Sequence, residues 1–369
     1  MRYYIIAGEA SGDLHASNLM RGLRACDPAC DFRFWGGDAM AAVGGEPVRH
    51  IRQTAVMGVV EVVSRLGKVL SNLSFCKKDL LAWRPDALIL VDYPGFNLRV
   101  ARFARRHGIR VFYYIAPKVW AHKAYRVKQL KRDVEALYCI FPFELDWFRA
   151  HGLEPAYFGN PLCDSIAQWQ PRPLEGSRIA LLPGSRPAEL RFLMPRFAAL
   201  ERRLAADPHL ADFRLTVAAA PGLDPAEYRK YLPADSRIEV VAGRTYDVLA
   251  GAQAAVISSG TASLEAGLIG TPQVVCYGFR RLTWWIANLT VKVPFISLVN
   301  LCFGRPLVPE LLQDAASPER MYAELEKILT DGETAARMRS GYETLNNLLG
   351  GTGASGRIAN DIYERIARI

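Results

Sequence analysis

A chain of 369 residues is too long for one ordinary α/β domain and comfortable for two. Half of its residues are hydrophobic and 22% are charged, which excludes a disordered or fibrous chain. The net charge of +9 is uneven: residues 1–160 hold 23 Lys/Arg against 15 Asp/Glu, whereas residues 161–369 hold 23 against 22.

The first half alternates strand and helix patterns. Tyr3–Ala7 is β-like and Asp13–Ala25 has helical spacing. Ala87–Asp92 is a short apolar run that ends in an acid. Leu98–His107 reads as a helix with Arg99, Arg102 and Arg106 on one face. Arg110–Ile115, Ala136–Ile140 and Ala156–Gly159 continue as strands. Pro161 to Ser177, with three prolines and few apolar residues, reads as a linker. The pattern restarts with a strand at Arg178–Leu182, a loop and a helix from Ala188. Further strands follow at Phe213–Ala219, Ile238–Val241, Ala254–Ser258 and Gln273–Tyr277. From Pro318 the tail is helical, with a last piece from Ser355 after a glycine-rich break. The expected fold class is therefore α/β: two Rossmann-like, doubly wound domains with an interdomain cleft. The expected division is 1–163, 164–349 and a last helix, 350–369, that returns to the first domain.

Seven scattered cysteines without a CxxC pair argue against a disulfide framework or a zinc ribbon, and suit a cytosolic protein. No apolar run reaches the roughly 18 residues of a transmembrane helix. Between Leu98 and Arg132 stand eleven Lys/Arg and no acid, which suits anionic headgroups, phosphorylated substrates or nucleic acid. Nucleic acid is the weaker option, because the basic helix lacks an aromatic stacking array.

Four segments follow strands, where open parallel sheets bind ligands. Gly8–Asp13 (GEASGD) permits a tight turn at Gly8 and Gly12, with Ser11 as a helix cap and Glu9 free for chemistry. In Val91–Asn97 (VDYPGFN), Asp92 ends a strand and could take a proton from a sugar hydroxyl. It stands several residues too early to cap a helix at Leu98. Asn97 closes that turn. Pro183–Arg186 combines a loop at Gly184 and Ser185 with Arg186, a fork for phosphate oxygens. Ser259, Gly260 and Thr261 open another helix start, and Glu265 could bind the two hydroxyls of a ribose. These features point to a nucleotide diphosphate held by the second half. The chain has no Asp-x-Asp pair, so neither a metal nor a cofactor is expected. Apolar residues Val56, Val60, Val62, Val63, Leu66, Val69 and Leu70 stand beside Arg65, Lys68, Lys77 and Lys78 and suit a membrane or acyl contact. Leu282–Leu301 reads as core or as an acyl-contacting or subunit-contacting surface.

Seven segments in order resemble the lipid-A-disaccharide synthase family: GEASGD, Ala55–Glu61 (AVMGVVE), VDYPGFN, Ala116–Trp120 (APKVW), PGSR, Ser259–Glu265 (SGTASLE) and Ser297–Asn300 (SLVN). The resemblance spans nearly the whole chain. It implies a GT-B glycosyltransferase joining UDP-2,3-diacylglucosamine to 2,3-diacylglucosamine 1-phosphate, with inversion and without metal. It also implies a cytoplasmic protein held peripherally at the inner membrane, and a homodimer is left open. Asp92 falls on the family's essential aspartate, Arg186 on its phosphate-side arginine, Asn300 on a functionally important asparagine and Glu9 on the acid of the first turn. Whether Asp92 or Glu9 is the base is left open. Gly95, Asn160 and Val299 depart from the common aspartate, histidine and proline. The alternatives are a UDP-N-acetylglucosamine 2-epimerase-like enzyme and a non-catalytic peripheral lipid-binding protein.

Overall fold

The computed structural model describes residues 1–54, 62–120, 124–278 and 294–368. The expected contacts Val56 and Val60, and residues 282–293, lie outside them. In chain order the first part holds β1 (Arg2–Ala7), α1 (Ala10–Cys26), β2 (Asp31–Gly36), α2 (Asp38–Val43), β3 (Glu46–His50), α3 (Ile51–Thr54), α4 (Val62–Trp83), β4 (Ala87–Val91) and α5 (Pro94–Arg106). It continues with β5 (Arg110–Tyr114), α6 (Val127–Asp133), β6 (Ala136–Cys139), α7 (Pro142–Ala150), β7 (Ala156–Tyr157) and α8 (Pro161–Ala167). Next come β8 (Arg178–Leu182), α9 (Pro187–Ala205), β9 (Arg214–Ala219), α10 (Pro225–Arg229), β10 (Glu239–Ala242), α11 (Thr245–Ala250), β11 (Ala254–Ser258), α12 (Thr261–Ile269) and β12 (Gln273–Tyr277). The chain ends with α13 (Leu298–Phe303), β13 (Glu310–Leu312), α14 (Pro318–Thr330), α15 (Gly332–Leu348) and α16 (Ala354–Ala367).

Two compact units result: Met1–Ala167 with Leu349–Ile369, and Gln168–Leu348. Strands β4, β5, β8 and β11 are almost continuously apolar because helices cover both faces of a parallel sheet. In the first unit the order is β3-β2-β1-β4-β5-β6-β7, and every described pairing is parallel. In the second it is β10-β9-β8-β11-β12-β13, again parallel throughout. Strand order reverses between β1 and β4 in one sheet and between β8 and β11 in the other. Those are the two topological switch points.

The expected linker begins too early. Residues 161–167 form α8, with Pro161 to Ser165 buried. Asn160 starts that helix: its Oδ1 accepts from Leu162 N–H at 2.9 Å, and its amide donates to the Ile140 carbonyl at 2.9 Å. Pro161 costs nothing there, since a first-turn N–H has no helical partner. Asp164 on α8 accepts from the N–H groups of Gly353 and Ser355, at 2.5 and 2.8 Å, and so opens α16. Helix α16 then lies on α1 so closely that a Cβ at Gly22 would meet Ala359 at 2.8 Å. No helix among the described residues is long and apolar enough to cross a membrane.

Candidate active site

At the first switch point Ala7 and Val91 are paired neighbours, so the turns after β1 and β4 emerge side by side. The turn after β4 is strained. Asp92 and Tyr93 both adopt left-handed backbone, with φ of 43° and 47°. Such a conformation persists only where its surroundings over-determine it. Here they do. The Asp92 carbonyl accepts from the Asn97 amide at 2.8 Å and from the Tyr113 hydroxyl at 2.6 Å. Its N–H donates to the Tyr114 carbonyl at 3.2 Å. Tyr93 packs its ring over Gly8, where an added Cβ would lie 2.4 Å from the ring. Gly8 is thus needed for close approach. Helix α5 starts at Pro94, four residues before the expected Leu98, and the cap position is Tyr93 without a side-chain cap bond. The Asp92 carboxyl is therefore not spent as a cap. Its pKa is pushed up to about 6: burial raises it most, Lys118 lowers it, Glu9 raises it, and the Tyr93 N–H that the carboxylate accepts from lowers it.

Glu9 is exposed at the start of α1 and makes no side-chain cap bond. The expected capping role of Ser11 is not found. Helix α1 already starts at Ala10, so Ser11 lies exposed in its first turn. Gly12 is buried beside Ala7. Asp13, the acid that ends this motif, is a scaffold group: it accepts from the N–H groups of Gly37, Ala39 and Met40 at 2.7, 3.0 and 3.1 Å and closes the start of α2.

At the second switch point β8 pairs with β11, with Leu182 opposite Ile257. Gly184 has φ of 94°, and a Cβ there would collide with Glu189. The Glu189 carboxylate accepts from the N–H groups of Ser185 and Arg186, both at 3.1 Å. These two amides, expected to hold phosphate, are thus already engaged. The Arg186 guanidinium is different: it is 73% exposed and only loosely paired with Glu189 at 3.7 Å. Across the switch point, Gly260 precedes α12 without a side-chain cap, and Thr261 is exposed at the first turn. The Ser259 hydroxyl donates to the Ile296 carbonyl at 2.8 Å. The Glu265 pKa is pushed up to about 7 by burial, beside the Tyr246 hydroxyl.

Asn300, expected among the catalytic residues, is engaged within its own unit. Its side chain is 1% exposed and fully used. The amide donates to the Val308 carbonyl and Glu310 carboxylate, both at 2.9 Å, while Oδ1 accepts from Leu307 and Val308 N–H at 2.8 and 3.0 Å. No bonding capacity is left for a substrate. Asn300 instead staples the stretch that leads into β13.

Three residues of the first site were given no role from sequence. Lys118 bears on the Asp92 charge, Tyr113 holds the Asp92 carbonyl, and Glu144 binds Trp120. A lysine and a tryptophan in a short loop directly after a strand were the available signal for the first and third. Tyr113 is an ordinary apolar-strand residue and carries none.

Two parallel-sheet units, each with its candidate residues at a switch point, define a GT-B fold of the kind used by glycosyltransferases and nucleotide-sugar epimerases. The fold is shared with the UDP-GlcNAc 2-epimerase of Neisseria meningitidis solved with UDP-GlcNAc (TM-score 0.68, 11% identity, covering 99% of this chain and 100% of that one). It is shared also with the calicheamicin glycosyltransferase (TM-score 0.60, 17% identity, 100% and 99% covered). Residues 3–353 match the family of lipid-A-disaccharide synthetases, and the chain belongs to that family. It is 38% identical to the lipid-A-disaccharide synthase of Myxococcus xanthus (98% of this chain, 97% of that protein). It is 36% identical to that of Geobacter metallireducens (100% and 98%). By this membership it is a glycosyltransferase of lipid A disaccharide synthesis, and the epimerase alternative is not favoured.

Proposed function

We propose that the first unit binds 2,3-diacylglucosamine 1-phosphate as acceptor and that Asp92 is the general base of the transfer. The second unit binds UDP-2,3-diacylglucosamine as donor. Asp92 takes the proton of the acceptor 6-hydroxyl. The oxygen attacks the anomeric carbon from the face opposite UDP, the bond to the diphosphate breaks, and a β-1,6-linked disaccharide 1-phosphate and UDP leave. The observation that carries this reading is Asp92 itself: left-handed backbone at a switch point, and a carboxyl unspent as a helix cap with a proton affinity raised to about 6. Glu9 is exposed, and its charge raises the proton affinity of Asp92, so it fits a supporting role better than that of the base. Arg186 and the uncapped start of α12 fit the departing diphosphate. Gly184 shapes the donor loop, and Glu265 suits the ribose hydroxyls.

Peripheral contact with the cytoplasmic face of the inner membrane is part of the proposal. On α4, Leu70 is 60% and Leu81 42% exposed, with Lys78 exposed nearby. Apolar groups among cations suit an interfacial helix. Val69 is half-buried on the same helix, which also carries Val62, Val63 and Leu66 in its first turns.

The test is turnover in detergent micelles with both diacylated substrates, following UDP release and disaccharide. Wild type should form product, and a folded Asp92→Asn variant should not. Near-normal turnover of that variant would remove Asp92 as the base.

A further inference from the structure

Strands β4, β5 and β6 are neighbours, and Val91, Tyr114 and Tyr138 lie in one row across them. The ladder runs past the strand ends: Asp92 N–H donates to the Tyr114 carbonyl, and Ala116 N–H to the Tyr138 carbonyl at 3.0 Å. The turn that follows β5 therefore leaves the sheet beside Asp92. It starts with Ile115 at φ 62°, a conformation that a β-branched residue rarely adopts. It ends at Trp120, whose indole Nε1 donates to Glu144 Oε1 at 2.9 Å. The Trp120 ring also meets Phe143 edge-on at 4.9 Å.

Glu144 is an unusual helix-start glutamate. One oxygen accepts from the N–H groups of Ile140 and Phe141, at 3.1 and 3.2 Å, as a third-position glutamate at a helix start commonly does. Such residues are ordinarily solvated, but Glu144 is completely buried. Its second oxygen goes to Trp120, and no cation bonds directly to it among the described contacts. A buried carboxylate held only by neutral donors is costly to desolvate, and it is retained although no cation bonds to it. Its placement is better explained by what it holds.

We propose that Glu144 is a positioning residue for glycosyl transfer: through Trp120 it fixes the turn of residues 115–120, and so holds Lys118 at the sheet edge where Asp92 emerges. This rests on Asp92 being the base. Lys118 is exposed, and its charge favours the carboxylate forms of both Asp92 and Glu144. Burial opposes it, pushing Glu144 up to about 7. The groups that face Asp92 are Glu9 from the turn after β1, Tyr113 from β5 and Lys118 from this turn. Those that face Glu144 are Lys118 and Cys139. Lys118 is thus the cation among them, and a looser turn raises the proton affinity of Asp92.

The experiment is the pH profile of kcat, with KM measured separately, for wild type, Lys118→Gln, Trp120→Phe and Asp92→Asn. Trp120→Phe removes the indole N–H and keeps a smaller aromatic ring, which leaves Glu144 in place and so avoids the folding risk of Glu144→Ala. The expected result is an acid limb that moves to higher pH by about 0.5 in Lys118→Gln and in the same direction in Trp120→Phe, with KM within about twofold of wild type. An acid limb unmoved in both folded variants would overturn the positioning role. Failure of the underlying reading would look different, because Asp92→Asn would then keep its turnover.

Discussion

Asn97 donates its side-chain amide to the backbone carbonyl of Asp92 at 2.8 Å, and to that of Val91 at 3.3 Å. Asn97 is completely buried, so the first turn of α5 is pinned to the end of β4 through one side chain. That contact helps to keep Asp92 and Tyr93 in left-handed backbone.

Asn97→Ala should therefore act on chemistry more than on binding. With the carbonyl released the turn can relax, and the Asp92 carboxyl moves away from its working position. A displacement of about 1 Å costs on the order of 10–100-fold in rate. The expected outcome is a fall of that size in kcat with KM little changed, read from steady-state turnover in micelles.

The pH dependence follows from Asp92. Its carboxylate form is the base, so kcat should rise through about pH 6 and level off above it. Stability runs the other way. The folded-state pKa of Asp92 lies above its ordinary value of 3.8, so between about 4 and 6 the folded protein binds the proton more tightly than the unfolded chain. This contribution to stability is present at low pH and lost as pH rises through that window. Asp92→Asn should then abolish turnover while raising stability at pH 8 by on the order of 1–2 kcal/mol, measured by denaturant titration.

Asn300 offers the opposite combination. Asn300→Ala strands the N–H groups of Leu307 and Val308 in a buried place. It should cost about 3 kcal/mol or more of stability. A variant melting like wild type but catalytically dead would restore a direct role for Asn300.

Arg186 separates binding from folding. Its guanidinium is largely exposed and loosely paired, so Arg186→Ala should change stability by no more than about 0.5 kcal/mol. UDP affinity, measured by calorimetry, should fall about tenfold or more, as one charge-assisted phosphate contact is lost.

Gly8→Ala tests the close approach to Tyr93. The new methyl would lie within the ring's van der Waals envelope, so Tyr93 must shift. A loss of about 1–3 kcal/mol is expected, together with reduced turnover, because the same ring sits in the Asp92 turn.

Much of this protein was legible in its residues, for identifiable reasons. Strands β1, β4, β5, β8 and β11 are buried on both faces and read as continuous apolar runs. Polar and glycine residues after β1, β4, β8 and β11 marked the turns that carry Glu9, Asp92, Arg186 and Thr261. Strands β2, β3 and β13 escaped notice, because each is short or partly exposed and lacks such a run. The start of α5 was misplaced since Pro94 and Gly95 read as a turn, although proline suits the first helical position. What the residues determined by themselves is where the chain turns and which side chains each turn presents, because these depend on local burial and backbone sterics. Strand order, which makes two of those turns in each sheet into a switch point, came only from tertiary pairing between distant segments. The same holds for the spent amide of Asn300, the grip of Asn97 on Asp92 and the burial of Glu144: hydrogen-bond satisfaction and desolvation belong to the packed surroundings, not to the residue.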